Sequence, residues 1–240
     1  LQIARENPRM RYDKIQGELL KLGFVVDPTT VKNVLRRHRL LPAPQRGRSS
    51  WRTFLKHYRQ QMLACDFFTV ETLHLHTLYV LFFIELGSRR VHLAGCTTHP
   101  DTVWVTQQAR QLVWQLDESS IPMCFLIHDR DSKFTTGFDQ VFVSEGIDIV
   151  RTPFRAPRAN AVAERWVRSV RQECLDHLLI LNQRHLIRVL KEYIDYYNVS
   201  RPHQGLDQQV PIPRPRSPQG VIRCREVLGG ILHDYYRDAA

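Results

Sequence analysis

The first forty residues carry the hydrophobic periodicity of two short helices. Residues 12–22 repeat apolar side chains at helical spacing, and Gly23 favours a stop. A second helix is predicted over residues 28–39, because Asp27 and Pro28 suit an N-cap and a first helical position. The apolar face predicted for it comprises Val31, Val34, Leu35 and His38. The pair predicts a helix-turn-helix, with a plain helical hairpin as the alternative.

From residue 62 onward the pattern changes to alternating strands and helices. Three β-rich runs predict an antiparallel meander and cover residues 62–71, 78–86 and 90–97. A helix is predicted from Thr98, and a buried strand ends at His128. Two longer helices are predicted over residues 160–179 and 184–197. This order predicts an α/β domain with a mixed sheet.

A change in composition separates the two parts. Residues 42–50 are rich in Pro, Gly, Ser and Arg, as in a linker, and an amphipathic helix begins at Trp51. The predicted domains are therefore a helix-turn-helix (1–41), a basic linker with a lead-in helix (42–60), a core (61–200) and a C-terminal extension (201–240). Because the chain opens on Leu1 rather than Met, we expect the first domain to be truncated.

Charge is unevenly distributed along the 240 residues. The chain has 34 Lys and Arg against 24 Asp and Glu, a net charge of +10. Residues 1–60 contain 14 of the cations and 4 of the acids, so the first quarter carries the whole excess. A basic module on a neutral body is typical of a protein that grips a polyanion, although a solvated basic surface has the same composition.

Several protein classes are excluded at this stage. The longest apolar run, Leu78 to Ile84, is far shorter than the ~20 residues that span a bilayer, so no membrane partner is expected. The five cysteines are odd in number and lack a CxxC pair, which argues against a disulfide framework and a zinc knuckle. We therefore expect an intracellular protein.

Three acids favour a metal site. Asp66 lies within a predicted strand among apolar neighbours, where a lone charge is costly. Asp129 ends an apolar strand, at the edge where α/β sheets place ligands. Glu164 lies on a predicted helix. Carboxylates that converge from two strands and a helix suit hard divalent cations, and two ions about 3.5–4 Å apart can clamp a phosphoryl transfer.

Each acid also has a simpler interpretation. Asp66 could pair with an arginine, Asp129 could form a turn, and Glu164 could be a solvated helix residue. Asp131 is an alternative to Asp129, and Glu71 is a weaker alternative to Asp66.

Basic and polar residues predict contacts to a phosphate backbone in two places. Segment 151–171 has six arginines and one acid. The second predicted helix presents basic and polar side chains outside its apolar face. The candidate DNA-binding residues are Thr30, Lys32, Asn33, Arg36, Arg37, Arg155, Arg158, Arg168 and Arg171.

Together these motifs resemble the DDE catalytic core of retroviral-type integrases and bacterial insertion-sequence transposases. The acids are separated by 63 and 35 positions, and IHDRDSKF, RAPRANAVAERWVRSVRQE and YNVSRPHQGL surround or follow them. The resemblance runs from MRYDKIQGELLKLG to RPRSPQG. The chain departs from the family pattern at Cys65 and at Met10-Arg11, and it lacks the zinc-binding His/His/Cys/Cys module of retroviral integrases.

The resemblance implies a ribonuclease-H-like mixed-sheet catalytic core preceded by a small helix-turn-helix domain. It also implies Asp66, Asp129 and Glu164 as catalytic metal ligands, two Mg²⁺ or Mn²⁺ ions, and DNA strand cleavage and transfer. The implied partners are element ends, target DNA and further copies of the chain, in a bacterial, nucleoid-associated setting in the cytoplasm. Two alternatives stay open, namely a DNA-binding protein with an inactive core and a nuclease that does not join strands.

Overall fold

The computed structural model describes residues 1–8, 10–40, 51–117, 122–152, 161–215 and 219–238. The chain divides into two compact units, Leu1–His57 and Tyr58–Ala240. The predicted contacts Arg155 and Arg158 and the linker 42–50 lie outside the described residues.

The first unit is helical. Its helices are α1 (Gln2–Glu6), α2 (Tyr12–Lys21), α3 (Pro28–Arg37) and most of α4 (Trp51–Tyr58). A small core packs α1 to α3 together and comprises Ala4, Ile15, Val31 and Leu35.

The local sequence explains where α3 begins and which face it buries. Asp27 caps the helix as predicted, since its Oδ1 accepts a hydrogen bond of 2.7 Å from the backbone N–H of Thr29. The predicted apolar face is wrong at Val34 and His38, which are exposed because no further layer of the described unit covers them. The two helices are compatible with a small helix-turn-helix domain.

The second unit contains a five-stranded mixed sheet. Its strands are β1 (Met62–Glu71), β2 (Thr77–Glu85), β3 (Val91–Thr97), β4 (Phe125–His128) and β5 (Asp148–Arg151). They lie in the order β3-β2-β1-β4-β5. The first three strands are antiparallel, as predicted, and β4 runs parallel to β1 and to β5. This is the mixed α/β architecture expected from the sequence.

Helices cover both faces of this sheet. They are α5 (Thr102–Asp117), α6 (Thr136–Ser144), α7 (Ala161–Glu173) and α8 (Gln183–Val199). Side chains alternate between the faces of a strand, so Phe83 packs with the α5 and α6 core while its neighbour Phe82 packs against Trp166 of α7. Among the described residues, no helix is both long and apolar enough to cross a membrane.

Three predicted features change in the structure. Helix α5 begins at Thr102 rather than at Thr98. Helix α7 ends at Glu173, and a short 3-10 turn, Leu175–His177, follows where the sequence predicted a continuous helix to residue 179. The C-terminal extension contains a hairpin that was not predicted, formed by β6 (Ile222–Val227) and β7 (Leu232–Arg237). Its exposed strands bury little apolar surface, so their hydrophobic pattern is weak.

Candidate functional site

The strand register brings two of the predicted acids to neighbouring positions. Parallel pairing of β1 with β4 ends at Ala64 opposite Ile127. Asp66 and Asp129 each lie two residues beyond this last pair, and Asp129 directly follows β4. The charge of Asp129 acts on the carboxyl group of Asp66, so the two acids lie in one region.

Asp66 experiences the charges of the other acids. It is partly buried, and its Oδ1 accepts a hydrogen bond of 2.8 Å from the backbone N–H of Phe67. Burial is the largest cause that raises the pKa of Asp66 to about 6, against the effect of that hydrogen bond. The negative charges of Asp129, Glu164 and Asp131 raise this pKa further. All three therefore act on the same carboxyl group.

Glu164 reaches this region from the first turn of α7. The helix is anchored by Trp166, whose buried ring lies 4.1 Å from the ring of Phe82 and 5.6 Å from that of Phe68, centroid to centroid. Glu164 itself is exposed. The buried tryptophan therefore fixes the helix on the sheet while the acid two residues earlier faces solvent.

The two predicted arginine contacts on α7 have different surroundings. Arg171 donates a hydrogen bond of 2.8 Å from Nη2 to the carbonyl oxygen of Thr69, and its guanidinium lies 5.9 Å from the ring centre of Phe68. Arg168 is exposed. Arg171 is thus tied to β1, whereas Arg168 is presented to solvent.

The alternative acids are held by other partners. Nζ of Lys133 lies 2.7 Å from Oδ2 of Asp131, and the backbone N–H of Lys133 donates to Oδ1 at 3.0 Å. Although partial burial opposes the shift, these bonds and the lysine charge lower the pKa of Asp131. Glu71 is exposed near the end of β1 and accepts a hydrogen bond from the Thr77 hydroxyl.

The sequence did not predict a role for the buried histidine beside Asp129. Nδ1 of His128 lies 2.6 Å from the backbone oxygen of Asp129, and its Nε2 lies 3.0 Å from Oδ1 of Asp139. Arg151 in turn donates to Oδ2 of Asp139 at 2.7 Å. This cluster holds the end of β4 in place. The position of His128 directly before Asp129 was the only local signal, since the contact with Asp139 is tertiary.

The candidate DNA contacts of the first unit lie on the outside of α3. All of them are exposed, while Val31 and Leu35 on the opposite side are buried. The exposed set is Thr30, Lys32, Asn33, Arg36 and Arg37. These side chains are accessible to a ligand.

The donor chemistry of the three acids fits a divalent cation. Carboxylate oxygens are the ligands that Mg²⁺ and Mn²⁺ prefer, and a cation would offset the repulsion that Asp66 experiences from Asp129 and Glu164. Within the described residues, no three His, Cys, Asp or Glu side chains already form a metal-ligand set. The backbone therefore brings the acids into one region, and their side chains have to close further to share an ion.

Comparisons with known proteins point to one fold. Residues 145–211 match the family model described as the integrase core domain. A chain of the simian T-cell lymphotropic virus intasome in complex with PP2A regulatory subunit B56 gamma is 10% identical, with 75% of this chain and 67% of that chain covered and a TM-score of 0.50. None of the curated proteins matches this sequence.

Two isolated catalytic cores are also similar. The HTLV-2 integrase catalytic core domain in complex with magnesium, in its trimeric form, is 11% identical, with 62% of this chain and 93% of that chain covered and a TM-score of 0.48. The catalytic core domain of BIV integrase is 14% identical, with coverages of 63% and 91% and a TM-score of 0.43.

At these identities the structural likeness concerns the fold alone. The five-stranded mixed sheet is that of a ribonuclease-H-like integrase core, which confirms the predicted fold class. The family-model match adds sequence evidence that residues 145–211 are similar to an integrase core domain, and it supports an integrase-like or transposase-like function.

Proposed function

We propose that this chain is a transposase or integrase that cleaves and joins DNA strands with the help of divalent metal ions. The observation that supports the proposal is the register of β1 and β4, whose last pair, Ala64 and Ile127, lies two residues before Asp66 and Asp129 in a fold of the integrase type. The charge of Glu164 acts on the same site from α7.

The three acids have distinct roles in this proposal. Asp66 and Asp129 would share one Mg²⁺ or Mn²⁺ ion, and Glu164 would complete the ligands of a second. Bound divalent ions supply charge neutralisation at the reacting phosphate and activation of an oxygen nucleophile. Lys133 keeps Asp131 engaged beside the site, so the second ligand that we propose is Asp129 rather than Asp131.

The proposed reaction consists of two phosphoryl transfers. In the first, water attacks a phosphodiester at the element end, one P–O bond forms, the bond to the 3′ oxygen breaks, and a free 3′-hydroxyl results. In the second, that hydroxyl attacks a phosphodiester of the target DNA and displaces its 3′ oxygen. Neither step needs a covalent bond to the protein.

Basic residues would hold the DNA during both transfers. Exposed Arg168 lies one helical turn after Glu164, where it can contact a phosphate near the acids. Arg155 and Arg158 are proposed as further contacts in the preceding segment. In the first unit, the exposed side chains of α3 would bind the element end, and several copies of the chain would assemble on paired ends.

Neutralising each acid tests the assignment. Asp66→Asn, Asp129→Asn and Glu164→Gln are each expected to abolish Mg²⁺-dependent strand transfer while leaving DNA affinity intact, because each removes a charged ligand but keeps the side chain's size. The matched controls are Asp148→Asn and Glu145→Gln, which neutralise exposed acids outside the proposed site and should keep activity. Joined products are measured with labelled element-end DNA.

The same assay separates the alternatives. Full strand transfer in any one of the three variants removes that residue from the site. Cleavage without joined products in the unsubstituted protein would identify a nuclease. Sequence-specific DNA binding with neither cleavage nor a Mn²⁺ site at the three acids would identify a DNA-binding protein with an inactive core.

A further inference from the structure

A polar cavity of about 270 Å³ lies in the second unit, lined by residues that no step above uses. It is bounded by α7, by the end of α8 and by the segment that follows α8. The side chains that matter for its chemistry are those of Arg89, Arg165, Ser169, Tyr197, Arg201 and Gln208.

Helix α7 separates this cavity from the acid site. With 3.6 residues per turn, its positions fall on three faces. One face is buried against the sheet and comprises Ala163, Trp166 and Val170. A second carries the candidate site residues Glu164, Arg168 and Arg171. The third lines the cavity with Val162, Arg165 and Ser169. A ligand in the cavity therefore contacts a different side of the helix from Glu164.

The cavity is positively charged. Three arginines line it, and no acidic side chain does so among the described residues. Arg201 is neutralised by Glu173, to whose Oε2 its Nε donates at 2.8 Å. In the described part of the chain, neither Arg89 nor Arg165 has a salt-bridge partner. Two guanidinium groups thus face the cavity with their charge uncompensated.

The side chain of Arg59 adds a third positive charge that acts on Arg89. Arg59 is fixed by hydrogen bonds from Nε to the carbonyl oxygen of Leu86 at 2.8 Å and from Nη2 to that of Gly205 at 3.4 Å. Burial, followed by the positive charges of Arg59 and Arg165, lowers the pKa of Arg89 to about 10. Arg89 stays charged at neutral pH, so its charge is costly until an anion binds beside it.

The wall of the cavity is held in an unusual backbone conformation. Arg89 and Gln208 have φ angles of 68° and 65°, in the left-handed region that non-glycine residues rarely adopt. Tyr197 is packed edge-on against His203, whose Nε2 lies 2.9 Å from the Tyr197 carbonyl oxygen. Local backbone strain of this kind is found where the surrounding structure positions a binding group.

We propose that this cavity binds a phosphate group between Arg89 and Arg165. The planar guanidinium matches phosphate oxygens with paired N–H donors, and Ser169 and Gln208 supply further polar groups. A water molecule takes up about 30 Å³ of liquid, so a cavity of about 270 Å³ has room for a phosphate group and accompanying waters. The phosphate can come from a DNA backbone, which rests on the proposed function, or from a free phosphate compound, which does not.

Charge-neutralising variants of the full chain test the site. Arg165→Gln and Arg89→Gln remove the two uncompensated charges, and Arg188→Gln removes an exposed arginine of α8 outside the cavity as a matched control. One arm titrates each protein with pyrophosphate by calorimetry. The other measures affinity for duplex DNA by fluorescence anisotropy at several salt concentrations.

If the cavity binds phosphate, the cavity variants should lose anion affinity while the control variant keeps it. If free phosphate is the ligand, pyrophosphate affinity falls at least tenfold in Arg165→Gln and is unchanged in Arg188→Gln. If DNA is the ligand, the slope of log affinity against log salt falls by about one in Arg165→Gln relative to the control, because one phosphate contact is lost. Since Arg165 is exposed, this variant is expected to fold even if Arg89→Gln does not.

Equal pyrophosphate affinity and equal salt slope in Arg165→Gln and Arg188→Gln would overturn the proposal. This failure is distinguishable from failure of the proposed function. Asp66→Asn should lose strand transfer but keep the phosphate site. Full strand transfer in Asp66→Asn would contradict the role of that acid in the reaction but not the phosphate site in the cavity. Unchanged anion binding in Arg165→Gln would contradict the phosphate site but not the role of Asp66.

Discussion

The two solvent-facing sides of helix α7 have different charged neighbours. On one side, Glu164 acts together with Asp66 and Asp129 of the sheet, and their repulsion favours bound cations. On the other side, Arg165 faces the cavity with Arg89, and their repulsion favours a bound anion. The buried face of α7, which includes Trp166, holds both sides in place on the sheet. Neighbouring positions of a helix point about 100° apart, so Glu164 and Arg165 contribute opposite charges to different sides of α7.

The two sides also differ in how the chain builds them. Asp66 and Asp129 each lie two residues beyond the last pair of β1 with β4, Ala64 and Ile127. The cavity instead joins the turn after β2, a face of α7 and the segment after α8. The acids follow a short parallel pairing of three positions, whereas the cavity depends on contacts between segments far apart along the chain. We therefore expect substitutions to change stability and ligand binding to different extents on the two sides of α7.

Removing the shared anchor should damage both sides and produce the largest effect. Trp166→Ala deletes a fully buried ring that packs on Phe68 and Phe82, so the free energy of unfolding should fall by about 3–5 kcal/mol. Urea denaturation measures this loss. Trp166→Phe is the control and should lose less, since it keeps an aromatic ring and gives up an indole N–H that has no hydrogen-bond partner among the described residues.

A smaller loss in Trp166→Ala than in Trp166→Phe would contradict the anchoring role of the indole ring. If Trp166→Ala folds at all, anion binding and strand transfer should weaken together. Loss of only one of them would show that the two sides do not depend on a common anchor.

Neutralising one acid should affect only the acid side. At neutral pH, above its raised pKa of about 6, the Asp66 carboxylate is charged at the expense of stability, so Asp66→Asn should raise the unfolding free energy without metal by on the order of 1–3 kcal/mol. Mg²⁺ should raise the melting temperature of the unsubstituted chain but not of the variant. Thermal melts with and without Mg²⁺ measure both effects.

Asp148→Asn is the control for this measurement, because it removes an exposed carboxylate from the neighbouring part of the sheet. It should leave both the stability and the response to Mg²⁺ unchanged. An equal Mg²⁺ response in Asp66→Asn and in the unsubstituted chain would separate Asp66 from metal binding.

The smallest expected effect is the difference in stability between substitutions of two arginines on the side of α7 that carries Glu164. Arg171→Gln loses a hydrogen bond to Thr69 and a contact with Phe68, so the unfolding free energy should fall by about 1 kcal/mol. Arg168→Gln should change it by less than about 0.5 kcal/mol, because that side chain is exposed. Comparable losses in both variants would show that Arg171 is not tied to β1 as described.

The sequence anticipated much of the fold through local patterns. The bounds of β1 agree with its β-rich run, and Asp27 caps α3 as its position before Pro28 suggested. Other predictions needed contacts that no local pattern reports. Val34 is exposed although it lies at an apolar spacing, and the salt bridge that holds Asp131 was not expected.

The sequence by itself determined the Asp27 cap of α3, the alternation along the strands and the residue types of the three acids. These depend on neighbours a few positions apart, whose interactions repeat with the period of a helix or a strand. Only the tertiary structure decided that β4 lies parallel to β1, that His128 contacts Asp139, and that Arg89 shares a cavity with Arg165. These groups lie far apart along the chain, so packing of the helices on the sheet brings them together.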